Sequence, residues 1–172
     1  MTVALVTPVG VALAVQYSGY RVQHTGSLPR GIYRTMSGPP TRGTIGMWCL
    51  PLAAARLART RHYVGPGPCP GDAEPVGKIV LAAGGDTVVF DTSGAHIAGR
   101  RVPNTRPRAR DTAGRPLTPA PYRTYVLRRD EVWLWSPYST RSFDSRYFGP
   151  VSTRQFLSAL KPVWVRSMPE VP

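Results

Sequence analysis

Apolar residues run almost unbroken over residues 3–15, with Thr7, Pro8 and Gly10 as the only interruptions, and the first charged side chain is Arg21. A helix that crosses a membrane needs about 20 apolar residues. The leader is therefore compatible with the exposed half of an anchor, with the h-region of an export signal that lacks its usual basic n-region, or with a buried first strand or helix. A start codon assigned too far downstream would also leave a shortened anchor.

Past the leader the pattern changes to short apolar runs punctuated by turn residues. Residues 31–34 and 44–49 predict strands on either side of Ser37-Gly38-Pro39-Pro40. Residues 53–62, rich in Ala, Leu and Arg and stopped by Gly65-Pro66, predict a short helix. Residues 65–75 hold three Gly and four Pro and read as a loop before a strand at 78–82. Gly84-Gly85-Asp86 then predicts a turn into a strand at 87–90. Residues 96–121 read as an irregular insertion or flap, 122–127 and 131–135 as strands, 152–160 as a terminal helix, and 163–165 as a last strand. No repeat, P-loop or dinucleotide-binding glycine pattern interrupts this series, so the pattern predicts an antiparallel, mainly β domain with short helices.

Composition supports that class. Of 172 residues, 17 are Gly and 19 Pro, well above ordinary usage, which disfavours a helical bundle and suits strands joined by many turns. The length allows one cored domain with a small appendage: a leader over 1–20 and a single domain over 21–172 that includes the basic insertion around 96–121.

The formal net charge of +13 favours an anionic partner such as a membrane surface. Twenty of the 22 cations are Arg, and nine of those lie between Arg100 and Arg129 with only Asp111 as a counter-charge. That tract is Pro-rich, with no regular basic helix and no aromatic stacking motif. It reads as a solvated or lipid-facing insertion rather than a specific nucleic-acid module. Cys49 and Cys69 permit one disulfide in an oxidising compartment, or two buried thiols in the cytosol. Two cysteines are too few for a cysteine-built zinc site, and His24, His62 and His96 lack a familiar ligand spacing, so neither metal nor cofactor is expected.

Three blocks carry candidate chemistry. In Thr25-Gly26-Ser27-Leu28-Pro29-Arg30-Gly31-Ile32-Tyr33, Gly26 and Pro29 bracket a serine whose hydroxyl a tight turn would expose; alone, such a serine is usually a cap or simply solvated. In Gly77-Lys78-Ile79-Val80-Leu81-Ala82-Ala83-Gly84-Gly85-Asp86, Lys78 is the single lysine of the first 160 residues and opens an apolar strand. A desolvated lysine amine accepts a proton, which arginine does not readily do, whereas a lysine at a strand edge merely snorkels to water. In Ser142-Phe143-Asp144-Ser145-Arg146-Tyr147-Phe148-Gly149-Pro150, Asp144 and Arg146 suit a charged support and Ser142 a hydrogen bond to the lysine; the plain alternative is a structural turn network.

Together, and in this order, the blocks resemble those of the type I signal peptidases, most closely the conjugative-transfer signal peptidases called TraF-like. The resemblance spans Thr25 through Pro150, and the last block is its most specific part. It implies Ser27 as nucleophile, Lys78 as general base, and Ser142 as the group that orients the amine. The oxyanion hole would combine the Ser27 N–H with the Thr25 hydroxyl, and Asp144 and Arg146 would hold the final block, with a catalytic influence of Asp144 left open. The chain departs from the family at Gln23, where Asn is common, and near Thr44, where an acidic residue is frequent; both bear on local support and substrate fit rather than on the dyad.

The same resemblance implies an antiparallel signal-peptidase-like catalytic β fold with an irregular cap. It would sit on the periplasmic or outer face of a bacterial cytoplasmic membrane and cleave exported or conjugative-pilus precursors through an acyl-enzyme. Expected partners are a precursor or pilin and an anionic membrane surface, with the conjugative secretion machinery open. The substrate would bind extended against a strand near 77–81 or 27–33. Two other functions fit parts of the sequence: a membrane-tethered, basic β-rich binding protein, and a LexA-like serine-lysine autoprotease, whose DNA-binding module is missing here.

Overall fold

The computed structural model of the chain describes residues 19–166, and the apolar leader lies outside the described residues. Two antiparallel sheets organise the chain. The larger has seven strands in the order β1 (Tyr20–Gln23), β2 (Gly31–Met36), β12 (Phe156–Val165), β3 (Ile45–Trp48), β5 (Val76–Ala83), β10 (Glu131–Trp135) and β11 (Val151–Ser152). The smaller has four: β8 (Arg100–Arg101), β7 (Gly94–Ile97), β6 (Thr87–Asp91) and β9 (Arg123–Val126). Helix α1 (Leu52–Thr60), helix α2 (Ser145–Phe148), the strand β4 (Pro66–Cys69) and a 3-10 turn over Thr153–Gln155 complete the described elements. This is the mainly β, antiparallel architecture that the turn-rich pattern predicts.

The strands follow their patterning. β2 alternates buried and exposed residues, as a half-buried strand must, whereas β5 is buried along most of its length between β3 and β10. At its end, Gly85 takes a left-handed φ of +92° and Asp86 accepts the Ala83 N–H, which turns the chain into β6 and joins the two sheets. Trp133, Phe90, Tyr125 and Val88 fill the space over the smaller sheet, and Leu28, Tyr33, Ile79 and Leu160 form a separate cluster beneath the segment that carries Ser27.

Three expectations are corrected. Residues 152–160 are not a terminal helix: only Thr153–Gln155 makes a short 3-10 turn, capped by Ser152, and the chain then runs extended as β12 between β2 and β3. Those two strands offer unpaired backbone edges, and filling both outweighs a local helical preference. Residues 65–75 are not purely loop, because β4 folds back on Ala73. The edge strand β1, Tyr20–Gln23, was not expected as a strand; it pairs with β2 in register from Tyr20↔Arg34 to Gln23↔Gly31.

Cys49 and Cys69 form a disulfide that ties the end of β3 to β4 beside α1, so the oxidised alternative holds. Closing a loop of this length stabilises the folded state by about 3 kcal/mol. Reduction should therefore add two hydrogens to the intact mass and lower the urea midpoint; an unchanged midpoint would show that the bridge contributes nothing to stability.

Candidate active site

Ser27 lies just after β1, in a turn that is anchored on both sides. Leu28 is buried in the cluster with Tyr33 and Leu160, and the Tyr33 hydroxyl donates to the Pro29 carbonyl at 2.8 Å. Gly77 lets this turn pack closely on β5, since a Cβ there would stand 2.7 Å from Leu28 Cδ1 and push that side chain aside. Lys78 follows in β5, and its amine reaches across to the turn. Lys78 Nζ is 2.7 Å from Ser27 Oγ and 2.9 Å from Ser142 Oγ, in a side chain only 2% exposed.

Ser142, Asp144 and Arg146 come from the segment around α2. Asp144 caps that helix and pairs with Arg146 through Nε at 2.8 Å and Nη2 at 2.9 Å, and both side chains are fully buried. Arg146 also donates from Nη2 to the Ser142 carbonyl at 2.7 Å, which fixes the backbone that presents the Ser142 hydroxyl to Lys78. From Nη1 it donates to the carbonyls of Asn104 and Thr140, so one guanidinium fastens the basic insertion and the final block to each other. The structure thus brings together Ser27, Lys78, Ser142, Asp144 and Arg146.

Thr25 is exposed at the mouth of the site. Its Oγ1 accepts a short hydrogen bond from Gln23 Nε2, which leaves the threonine proton available to donate elsewhere. Gln23 thus acts here as a local support. Ser136 is one functional residue that sequence reading missed: fully buried, it donates from Oγ to the Ser27 carbonyl at 2.6 Å and fixes the turn from the far side. It stands 109 positions from Ser27 in a plain Trp135-Ser136-Pro137 context, and no motif marks it.

Burial governs the electrostatics of Lys78. Desolvation pulls its pKa from 10.5 down to about 8, with Asp144 opposing and Arg146 assisting. At pH 7 about one amine in ten is then neutral, and at pH 8 about half. An unfolded lysine holds its proton to higher pH than the folded one, so stability rises with pH between about 8 and 10.5 and carries the full penalty below 8. Lys78→Met should remove that penalty and stabilise the protein at pH 7 by about 2–3 kcal/mol, read as a higher urea midpoint. No gain in midpoint would mean that the amine is not desolvated as the geometry requires.

Ser27 and Lys78 open into a cavity of about 1070 Å³ lined on one side by β1 and the following residues to Ser27, and on the other by Glu74 through Lys78. β1 ends the larger sheet and pairs only with β2. β5 pairs with β10 only from Ile79 onward, so its Val76–Lys78 backbone has no strand on that side. The expected docking strands shift accordingly: Gly31–Met36 lies between β1 and β12 and Ile79–Ala83 is paired with β10, which leaves Tyr20–Gln23 and Val76–Lys78 as the open edges. Among the described residues no group of three or more His, Cys, Asp or Glu is placed to hold a metal ion.

Residues 6–165 match the family described as signal peptidase, peptidase S26. Among similar proteins, the plasmid transfer protein TraF of Escherichia coli is 39% identical over 147 residues, covering 85% of this chain and 83% of that protein. A probable conjugal transfer protein TraF of Sinorhizobium fredii is 36% identical over 158 residues, covering 90% and 82%. The conjugal transfer protein TraF of Agrobacterium tumefaciens is 34% identical over 167 residues, covering 95% and 93%. The chain belongs to the signal peptidase S26 family, and it is a serine-type peptidase with TraF-like relatives.

Proposed function

Starting from that membership, we propose that Ser27 and Lys78 form the catalytic dyad of a membrane-associated endopeptidase that matures exported or conjugative-pilus precursors. The observation that carries this reading is the buried Lys78 amine, 2.7 Å from Ser27 Oγ in the floor of an open cavity. A neutral Lys78 takes the Ser27 proton as Oγ attacks the peptide carbonyl. Ser142 holds the amine on the line to Ser27. The Ser27 N–H and the Thr25 hydroxyl receive the developing oxyanion, and loss of one such donor costs about 3–4 kcal/mol of transition-state stabilisation. Collapse releases the C-terminal fragment, whose amine takes the proton from Lys78, and leaves the N-terminal fragment esterified to Ser27. Water activated by Lys78, or the amino terminus of the substrate itself, then resolves the ester.

An extended peptide fits between the open edges of β1 and Val76–Lys78, with backbone hydrogen bonds to one or both. The relatives' plasmid and conjugal transfer names favour a pilin or similar precursor and a place beside the transfer machinery. No helix among the described residues is long and apolar enough to cross a membrane. The proposed anchor is the leader over 1–20, aided by attraction of the basic surface to anionic lipid, with the domain over 21–172 on the periplasmic or outer face and the 96–121 insertion as its cap.

The test is a precursor library varied at the residue before the cut and read by product mass spectrometry. Small residues such as Ala should be cleaved preferentially, and a circular product would be lighter than its linear counterpart by one water. Equal cleavage after bulky aromatic residues would contradict a restricted site.

A further inference from the structure

We infer that the cavity selects peptides bearing carboxylates close to the scissile bond, and that Arg108 and Arg141 are the residues that read them. This rests on the proposal that a peptide lies in the cavity for cleavage at Ser27. Besides the dyad, the charged side chains lining the cavity are Arg21, Arg108, Arg110 and Arg141 against Glu74 and Asp111. Asp111 is already neutralised from behind: its Oδ2 lies 2.7 Å from Arg115 Nε and accepts from the Tyr63 hydroxyl at 2.6 Å. Arg110 is partly engaged, donating to the Gly114 carbonyl at 2.7 Å. Arg108 and Arg141 are exposed, and among the described residues neither guanidinium has a hydrogen-bond or ion-pair partner.

Their backbones are held in place. Arg146 donates to the carbonyls of Arg106 and Thr140, one on each segment, and the Arg108 N–H donates to the Tyr147 hydroxyl at 3.1 Å. Two free guanidiniums on fixed supports, facing the same cavity from the insertion and from the residue just before the final block, present forks that match carboxylates. Each exposed pair contributes little alone, but the two together amount to about a tenfold preference at low salt. The effect must fade as salt screens it.

The full-length Ser27→Ala protein, which binds without cleaving, is titrated by fluorescence anisotropy with short end-blocked Ala/Ser peptides bearing two Glu, two Gln or two Lys. A fourth peptide lacks acidic side chains but keeps a free C-terminal carboxylate, which separates a side-chain source from a chain-end source. The Glu peptide should bind about tenfold tighter than the Gln peptide, with the gap closing at high salt. Added to this background, Arg108→Gln/Arg141→Gln should erase the preference, and Arg108→Glu/Arg141→Glu should turn it toward the Lys peptide. Equal affinity for Glu and Gln peptides, a preference that survives the double Gln variant, or no binding of any peptide overturns the inference. Cleavage is followed separately with Ser27 intact: cleavage without a carboxylate preference defeats the inference and leaves the dyad standing, whereas a carboxylate preference without cleavage defeats the dyad and leaves the cavity reading standing.

Discussion

Ser27→Ala and Lys78→Ala should each abolish precursor cleavage, with a fall of about 10⁴-fold or more, as expected when members of a catalytic unit that act together are removed singly. Both side chains end in the same cavity floor, and neither change disturbs the Leu28 and Tyr33 packing that holds the turn. Lys78→Arg is the sharper variant. It keeps a cation at the position but supplies no group that gives up its proton near neutral pH, so it should be as inactive as the alanine variant. Circular dichroism on the same samples must report a folded protein. Turnover by folded Lys78→Arg above a hundredth of the unmutated rate would remove Lys78 from its role as base.

Asp144→Ala should produce the largest loss of stability of any single change in the site. It strips a fully buried guanidinium of its carboxylate, and breaking such a pair from one side costs about 3–5 kcal/mol. Arg146 would also lose the partner that aligns its bonds to Ser142 and to the insertion. Urea unfolding should show the fall, and Asp144→Ala/Arg146→Met should recover part of it, because no unpaired charge then remains buried. Asp144→Asn keeps the shape and tests electrostatics. The Asp144 charge raises the Lys78 pKa, so its loss should move the rising limb of the cleavage pH profile, centred near pH 8 in the unmutated protein, to lower pH. A limb that stays fixed would show that Asp144 supports the fold alone, and one that moves upward would contradict the direction of its charge effect on Lys78.

The meeting of Ser27, Lys78 and Ser142 was legible because each stands in a short block whose local chemistry is unusual: a serine bracketed by Gly26 and Pro29, a lone lysine opening an apolar strand, and a compact Ser142-Phe143-Asp144-Ser145-Arg146 run. Strands such as β10 and β6 were legible as short apolar runs bounded by turn residues. β12 was legible only at its end, where the strand expected at 163–165 holds; its first half was not, because its state depends on edges offered by β2 and β3 more than a hundred residues earlier, while Ser152 caps a short 3-10 turn locally. Ser136 was invisible for the same reason: its hydroxyl matters only through a carbonyl far away in sequence. The basic insertion read as solvent- or lipid-facing, and Arg108 and Arg110 are exposed; that they also line the cavity was not legible, because Arg146 and the Asp111 cluster hold that segment over it through contacts distant in sequence.

The central claim is a covalent one, and trapping the covalent species tests it most directly. The unmutated protein is mixed with a precursor that it cleaves, near pH 8 where about half of Lys78 is neutral and Ser27 can be acylated, then quenched in acid during turnover, digested and mapped by mass spectrometry. The peptide containing Ser27 should carry the N-terminal product as an ester, heavier by the mass of that fragment less one water, and the adduct should be missing from Ser27→Ala and Lys78→Arg. An adduct on another residue, or undiminished turnover by the folded Ser27→Ala protein, would contradict the account.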